Sequence, residues 1–191
     1  MRVIAGTLKG RRLKTPDWEG LRPTSDKLRE TLFNILSPRI AGARVLDGFA
    51  GTGALGIEAL SRGAASVVFV ERDRRAQALI AANLAHCRIE TGYTVERASF
   101  ARCTAAWRAD AAFEPFDIVL LDPPYDLRPD AILEDADVAI GPGGLMVLEH
   151  ARRSSVPAAA GGLTRTRQVS SGDSALSFYE LATASTLHDH P

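Results

Sequence analysis

Through the middle of this chain short apolar strands alternate with Ala-rich helices, and that alternation narrows its fold more than any other feature. Residues 43–47, 66–71, 93–97, 116–122 and 145–149 carry the Val, Leu and Ile runs expected of strands covered on both faces. Helices are predicted between them near 54–61, 74–86 and 129–139. A helix between successive strands carries the chain back across the sheet, so these strands can pair in parallel. The two final strands, 163–170 and 175–181, have only Ser171-Gly172-Asp173-Ser174 between them, too short for a crossover, so they must be antiparallel to each other. Before the alternation begins, 2–5 and 11–14 read as a hairpin around Gly6 and Gly10. A helix capped by Thr24 or Ser25 then runs to Ser37, where Pro38 stops it. The expected architecture is α/β: a Rossmann-like, seven-stranded, mostly parallel sheet with an antiparallel last strand, preceded by an N-terminal β-hairpin and helix.

Composition excludes several classes. A chain of 191 residues, 46% of them apolar, can bury about 70% of its unfolded surface, so it needs neither disulfides nor metal to fold. Cys87 and Cys103 have no CxxC or His partner spacing, which points to a reducing, cytoplasmic compartment and no metal centre. No apolar run approaches the length of a membrane span, and the first residues lack the apolar stretch of a signal peptide. The 23 basic and 23 acidic residues cancel, yet the first fifteen residues hold Arg2, Lys9, Arg11, Arg12 and Lys14 and no acid. A basic arm on a neutral body suits a polyanion such as RNA; the other reading is an ordinary solvated terminus. The expected division is a basic hairpin arm at 1–23, one catalytic domain at 24–184 and a tail at 185–191.

The segment from Val45 to Gly56 is a strand that ends in a glycine-rich turn and opens into a helix. Gly51, Gly53 and Gly56 match GxGxxG, and Glu71 closes the next strand twenty residues after Gly51, where a carboxylate can take ribose hydroxyls. A nucleotide-type ligand at the carboxyl edge of the sheet follows. A dinucleotide would set its pyrophosphate against this turn, where the carboxylate of Asp47 would repel it. Asp47 suits instead a cationic group, such as the amino end of the methionine moiety of S-adenosylmethionine; its other reading is an Asx-type turn residue before Gly48. An NAD-dependent oxidoreductase also lacks here an acid-base constellation for hydride transfer.

Strand 116–122 ends in Asp122-Pro123-Pro124-Tyr125. Two successive prolines fix the backbone and remove two N–H donors, so the Asp122 carboxylate and the Pro123 carbonyl form a rigid acceptor cluster beside an aromatic ring. Such a cluster fits the exocyclic amine of a base, a poor nucleophile until two acceptors hold its hydrogens and turn its lone pair toward an electrophilic methyl group. Positive charge then grows on the nitrogen, where the acceptors stabilise it. Asp122 can also accept the departing proton, and Tyr125 can stack on the base, which must first be flipped out or presented single-stranded. A Pro-Pro turn with a packed Tyr is the structural alternative. Cytosine C5 chemistry needs a Cys nucleophile, and neither cysteine follows a proline or sits at a strand end.

These residues resemble a known family. Asp122-Pro123-Pro124-Tyr125 is similar to the signature of S-adenosylmethionine-dependent amino-methyltransferases. Together with Arg22-Pro23-Thr24, the run from Arg29 to Asn34, the run from Leu46 to Gly63 and Phe69-Val70-Glu71, it resembles the RsmD family, bacterial enzymes that methylate the N2 amine of a guanine in small-subunit ribosomal RNA. The resemblance implies a class I methyltransferase fold and S-adenosylmethionine as cofactor. Its site residues would be Asp47, Gly48, Phe49, Gly51, Gly53, Glu71, Arg72 and Ser99 on the cofactor, and Asp122, Pro123 and Tyr125 on the target guanine. Arg2, Lys9, Arg11, Arg12, Lys14, Arg22 and Thr24 would hold RNA. Its implied partner is 16S ribosomal RNA within the small subunit or an assembly intermediate, met by a monomer. The chain departs from the family at Gly48, where Leu is common, and at Ser99, where Asp or Asn often contacts the adenine. Other amine substrates left open are adenine or cytosine in DNA and a protein glutamine; a non-catalytic RNA-binding protein would keep the arm without needing Asp122.

Overall fold

The computed structural model describes residues 1–16, 18, 26–124 and 126–182. Helix α1 (Asp26–Ile40) leads into β1 (Arg44–Asp47), α2 (Ala54–Ser61), β2 (Ser66–Val70), α3 (Arg74–His86) and β3 (Tyr93–Glu96). Then come α4 (Phe100–Ala109), β4 (Phe116–Leu121), α5 (Pro129–Leu133) and β5 (Ile140–Ala151), followed by β6 (Ala159–Ala160), β7 (Leu163–Ser171) and β8 (Ser174–Leu181). One sheet holds all of the strands in the order β3-β2-β1-β4-β5-β8-β7-β6. Pairing is parallel from β3 to β5, while β8 is antiparallel to both β5 and β7. Strand order reverses between β1 and β4, which makes their carboxyl ends the place for a ligand.

Successive residues of the central strands serve opposite faces, as the two-residue period of a strand requires. Val45 and Leu120 join a core with Leu36, Ile57, Ile80 and Phe33 from α1, α2 and α3. Leu46 and Leu121 join a second core with Phe100, Cys103, Ile132 and Leu133 from α4 and α5. On the first face α2 lies very close to β2, for a Cβ on Gly56 would come within 2.2 Å of the Phe69 ring. The third glycine of the motif therefore serves helix-strand packing, and Gly53 turns the chain into α2 with a left-handed backbone at φ 77°.

Several boundaries differ from expectation. The sheet has eight strands rather than seven, because Ala159 and Ala160, between two of the expected strands, pair with β7 as β6. An unanticipated helix, α4, follows β3, capped by the Ser99 hydroxyl on the amide of Arg102. Pro38 lies inside the last turn of α1 rather than beyond it; there it removes only its own N–H bond, and the helix continues until Ile40 is buried. The single helix expected over 129–139 is α5 followed by a short 3-10 turn, Ala136–Ala139. The capping residues Thr24 and Ser25, and the tail 185–191, lie outside the described residues.

The expected hairpin forms around one antiparallel bridge, Arg2 to Arg12, and the amides of Val3, Gly10 and Leu13 donate across it to the carbonyls of Arg11 (2.9 Å), Val3 (2.9 Å) and Met1 (3.1 Å), while other polar groups of the arm bond to the body. Glu58 on α2 accepts the amides of Ile4 (2.7 Å) and Ala5 (3.0 Å), and Ser61 accepts that of Leu8 at 3.0 Å. Val3 and Leu13 enter the first core. The fully buried Arg29 donates to the Arg2 carbonyl and pairs with Asp26, and burial lowers its pKa. Residues 1–14 thus pack on the helix that follows the glycine turn.

Candidate active site

A cleft of about 1230 Å³ opens at the carboxyl ends of β1, β2, β4 and β5. It is lined by the turn 48–52 after β1, by 71–73 after β2, by Ser99 and Phe100 at the start of α4, and by 122–124 after β4. The separate sequence motifs therefore meet in one place.

Asp47 lies beneath the glycine turn, 1% exposed, and is not one of the residues lining the cleft. Its Oδ2 accepts the Gly56 amide at 2.9 Å, and its Oδ1 is buried with no hydrogen-bond partner among the described residues. Burial, then the nearby charges of Asp122 and Glu71, push its pKa up to about 7 against the pull of the Gly56 amide. Gly53 likewise shapes the turn without lining the cleft.

Glu71 is tied to the turn. Its Oε2 accepts the Gly51 amide and its Oε1 the Asp73 amide, both at 2.8 Å. Each carboxylate oxygen retains acceptor capacity for a ligand hydroxyl. Asp73 in turn caps α3 through the amides of Arg75 and Ala76, and Arg72 is exposed at the rim. Phe49 packs against Phe100 with ring centroids 5.4 Å apart, a pair that includes a residue the sequence reading missed. Its signal was the helical spacing of Phe100, Cys103, Thr104 and Trp107.

Gly48 is explained by its neighbours. A Cβ there would meet Leu121 Cδ2 at 2.6 Å and the Phe100 ring at 3.1 Å, so those side chains occupy the space a Leu would take. Ser99 lines the cleft while its hydroxyl caps α4.

On the far wall Asp122 is half-buried, Pro123 buried and Pro124 exposed. Tyr125, Arg22 and Thr24 lie outside the described residues. Among the arm cations Arg2, Lys9, Arg12 and Lys14 are exposed. Arg11 instead turns inward and donates to the Cys87 carbonyl at 2.7 Å. Beside the arm, Arg75 stacks over Trp18 at 5.0 Å, and both line the cleft; neither was anticipated. Glu149, on β5, also lines the cleft at 6% exposure. Among the described residues no cluster of His, Cys, Asp or Glu is placed to hold a metal, and no helix is long and apolar enough to cross a membrane.

The family described as conserved hypothetical protein 95, the RsmD family, matches residues 1–180. The chain belongs to this family. Relatives agree with that placement. The chain is 38% identical over 184 residues to YlbH of Bacillus subtilis, covering 94% of this chain and 98% of that one. It is 45% identical over 125 residues to ribosomal RNA small subunit methyltransferase D of Escherichia coli K12, an alignment covering 65% of this chain and 60% of its relative. Among solved structures, yhhF of Escherichia coli superposes with a TM-score of 0.81 at 33% identity, covering 95% of this chain and 97% of the other. The strand order and the antiparallel β8 are those of a class I methyltransferase.

Proposed function

We propose that this RsmD-family methyltransferase transfers the methyl group of S-adenosylmethionine to the N2 amine of a guanine in small-subunit ribosomal RNA. The observation that carries the reading is the Asp122-Pro123 tip of β4 opening into the same cleft as the glycine turn and Glu71. The printed name of the Escherichia coli relative, a small-subunit ribosomal RNA methyltransferase, supports the substrate class.

The residues present fit S-adenosylmethionine. A buried Asp47 oxygen with no hydrogen-bond partner among the described residues and the nearby Glu71 make the floor electronegative, which favours a cationic ligand over a pyrophosphate. Glu71 is placed for ribose hydroxyls, and Phe49 and Phe100 offer flat apolar surface for an adenine. When bound, this cofactor supplies an electrophilic methyl group on sulfur.

The chain's own groups act on the amine. The Asp122 carboxylate and the Pro123 carbonyl accept its two N–H bonds and hold its lone pair toward the cofactor side of the cleft. As the nitrogen becomes positive, each aligned acceptor is worth about 3–4 kcal/mol of barrier. Asp122, open to solvent on one side, takes the proton directly or through water and passes it out. Tyr125 stacks on the flipped base. Arg2, Lys9, Arg12 and Lys14, together with Arg22 and Thr24, hold the RNA.

The test is to supply labelled S-adenosylmethionine with under-methylated small subunits, naked ribosomal RNA, DNA and protein extract, and to identify the labelled product after digestion. N2-methylguanosine from ribosomal RNA is the expected product. Label in DNA or in glutamine, with none in guanosine, would overturn the reading.

A further inference from the structure

We propose that Glu149 is the residue by which the site selects guanine: its carboxylate accepts the ring N1–H that lies beside the target amine. The inference rests on the guanine-N2 reading above and names the group that sets it.

Strands β4 and β5 are parallel neighbours with Leu121 in register with Leu148, so Asp122, the first residue after β4, comes beside Glu149 within β5. Paired strands lie about 4.8 Å apart, a spacing that brings two side chains to one base edge. Both residues line the cleft, and Glu149 does so while almost fully buried. A flipped base brings donors on its Watson–Crick edge into such a cleft.

The amine-bearing bases differ at that edge. In guanine the N2 amine adjoins N1–H, a further donor. In adenine the N6 amine lies between the acceptors N1 and N7, and in cytosine the N4 amine adjoins the acceptor N3. A row of acceptors formed by Pro123, Asp122 and Glu149 therefore matches guanine alone and repels the ring nitrogen beside the amine in the other two. Sites built to hydrogen-bond a substrate N–H strongly reject analogues that lack it.

The experiment compares RNA substrates carrying guanine or 2-aminopurine at the methylated position. 2-Aminopurine keeps the amine on C2 but presents an acceptor at N1. The wild-type protein is expected to prefer guanine by at least about tenfold in kcat/KM, the scale of one substrate hydrogen bond exchanged for an acceptor-acceptor contact. Glu149→Gln, whose carboxamide can turn its NH2 toward N1, is expected to lose most of that preference by gaining on 2-aminopurine, with S-adenosylmethionine affinity unchanged. Equal rates on both bases by the wild type, or the wild-type ratio retained in Glu149→Gln, would overturn the inference. Should Glu149→Gln not fold, the wild-type ratio decides alone. Absence of N2-methylguanosine from the wild type would instead overturn the underlying reading, and this inference with it.

Discussion

Asp47 and Gly56 are joined by a 2.9 Å hydrogen bond that ties the end of β1 to the first turn of α2 and leaves the second Asp47 oxygen without a hydrogen-bond partner among the described residues. The strand, the glycine turn and the helix are thereby one rigid piece, with a buried carboxyl group at its centre.

That group makes stability depend on pH. Burial raises the Asp47 pKa from 3.8 to about 7, so the fold prefers its neutral form. A raised pKa contributes stability in full below the unfolded value of 3.8, and the contribution is lost as pH climbs through about 7. The whole change is about 4 kcal/mol. Urea midpoints of the unliganded protein should fall between pH 5 and pH 8, and Asp47→Asn should flatten that fall. An unchanged slope in Asp47→Asn would contradict this assignment.

Gly56 tests the closeness of α2 to β2. Gly56→Ala places a methyl group 2.2 Å from the Phe69 ring, so Phe69 or the helix must shift. A loss of about 1–3 kcal/mol in unfolding free energy is expected, together with weaker S-adenosylmethionine binding because the turn moves with the helix. Calorimetric titration of the variant reads both.

Two adjacent arm residues should behave differently. Arg11 is held by the Cys87 carbonyl, whereas the Arg12 side chain is exposed. Arg12→Ala should leave stability unchanged, weaken RNA binding and lower the salt slope of log K by about one. Arg11→Ala should lower the melting temperature instead. Filter binding at several salt concentrations, paired with thermal unfolding, separates them.

Asn83 joins the arm to the glycine turn after β1. Its Nδ2 donates to the carbonyls of Thr52 (2.9 Å) and Lys14 (3.1 Å), while its Oδ1 accepts the Lys14 amide at 2.7 Å. Asn83→Ala strands these backbone groups at a cost of about 1–3 kcal/mol. It should raise the Kd for S-adenosylmethionine and for RNA together, whereas Arg12→Ala changes RNA binding alone.

Much of this was legible in the sequence. Helices α2 and α3 begin and end where their Ala-rich periodicity does, and the joining of Gly51 to Glu71 follows from glycines and an acid flanking one strand-helix-strand unit. Helix α4 was legible too, since Phe100, Cys103, Thr104 and Trp107 have helical spacing. Strand β6 was not, because two alanines carry no period. Which of Arg11 and Arg12 turns inward depends on where the Cys87 carbonyl lies, and the place of Glu149 beside Asp122 depends on β4–β5 register. Those facts belong to tertiary structure and leave no local mark.

The central claim is that the tip of β4 holds the amine rather than the cofactor. Asp122→Ala separates the two most directly when S-adenosylmethionine affinity and single-turnover methyl transfer are measured on the same preparation. Affinity within about threefold of wild type, with transfer reduced by at least about a hundredfold, is the predicted result, on the scale of removing one transition-state acceptor. Transfer at the wild-type rate, or loss of cofactor binding in a folded variant, would contradict it.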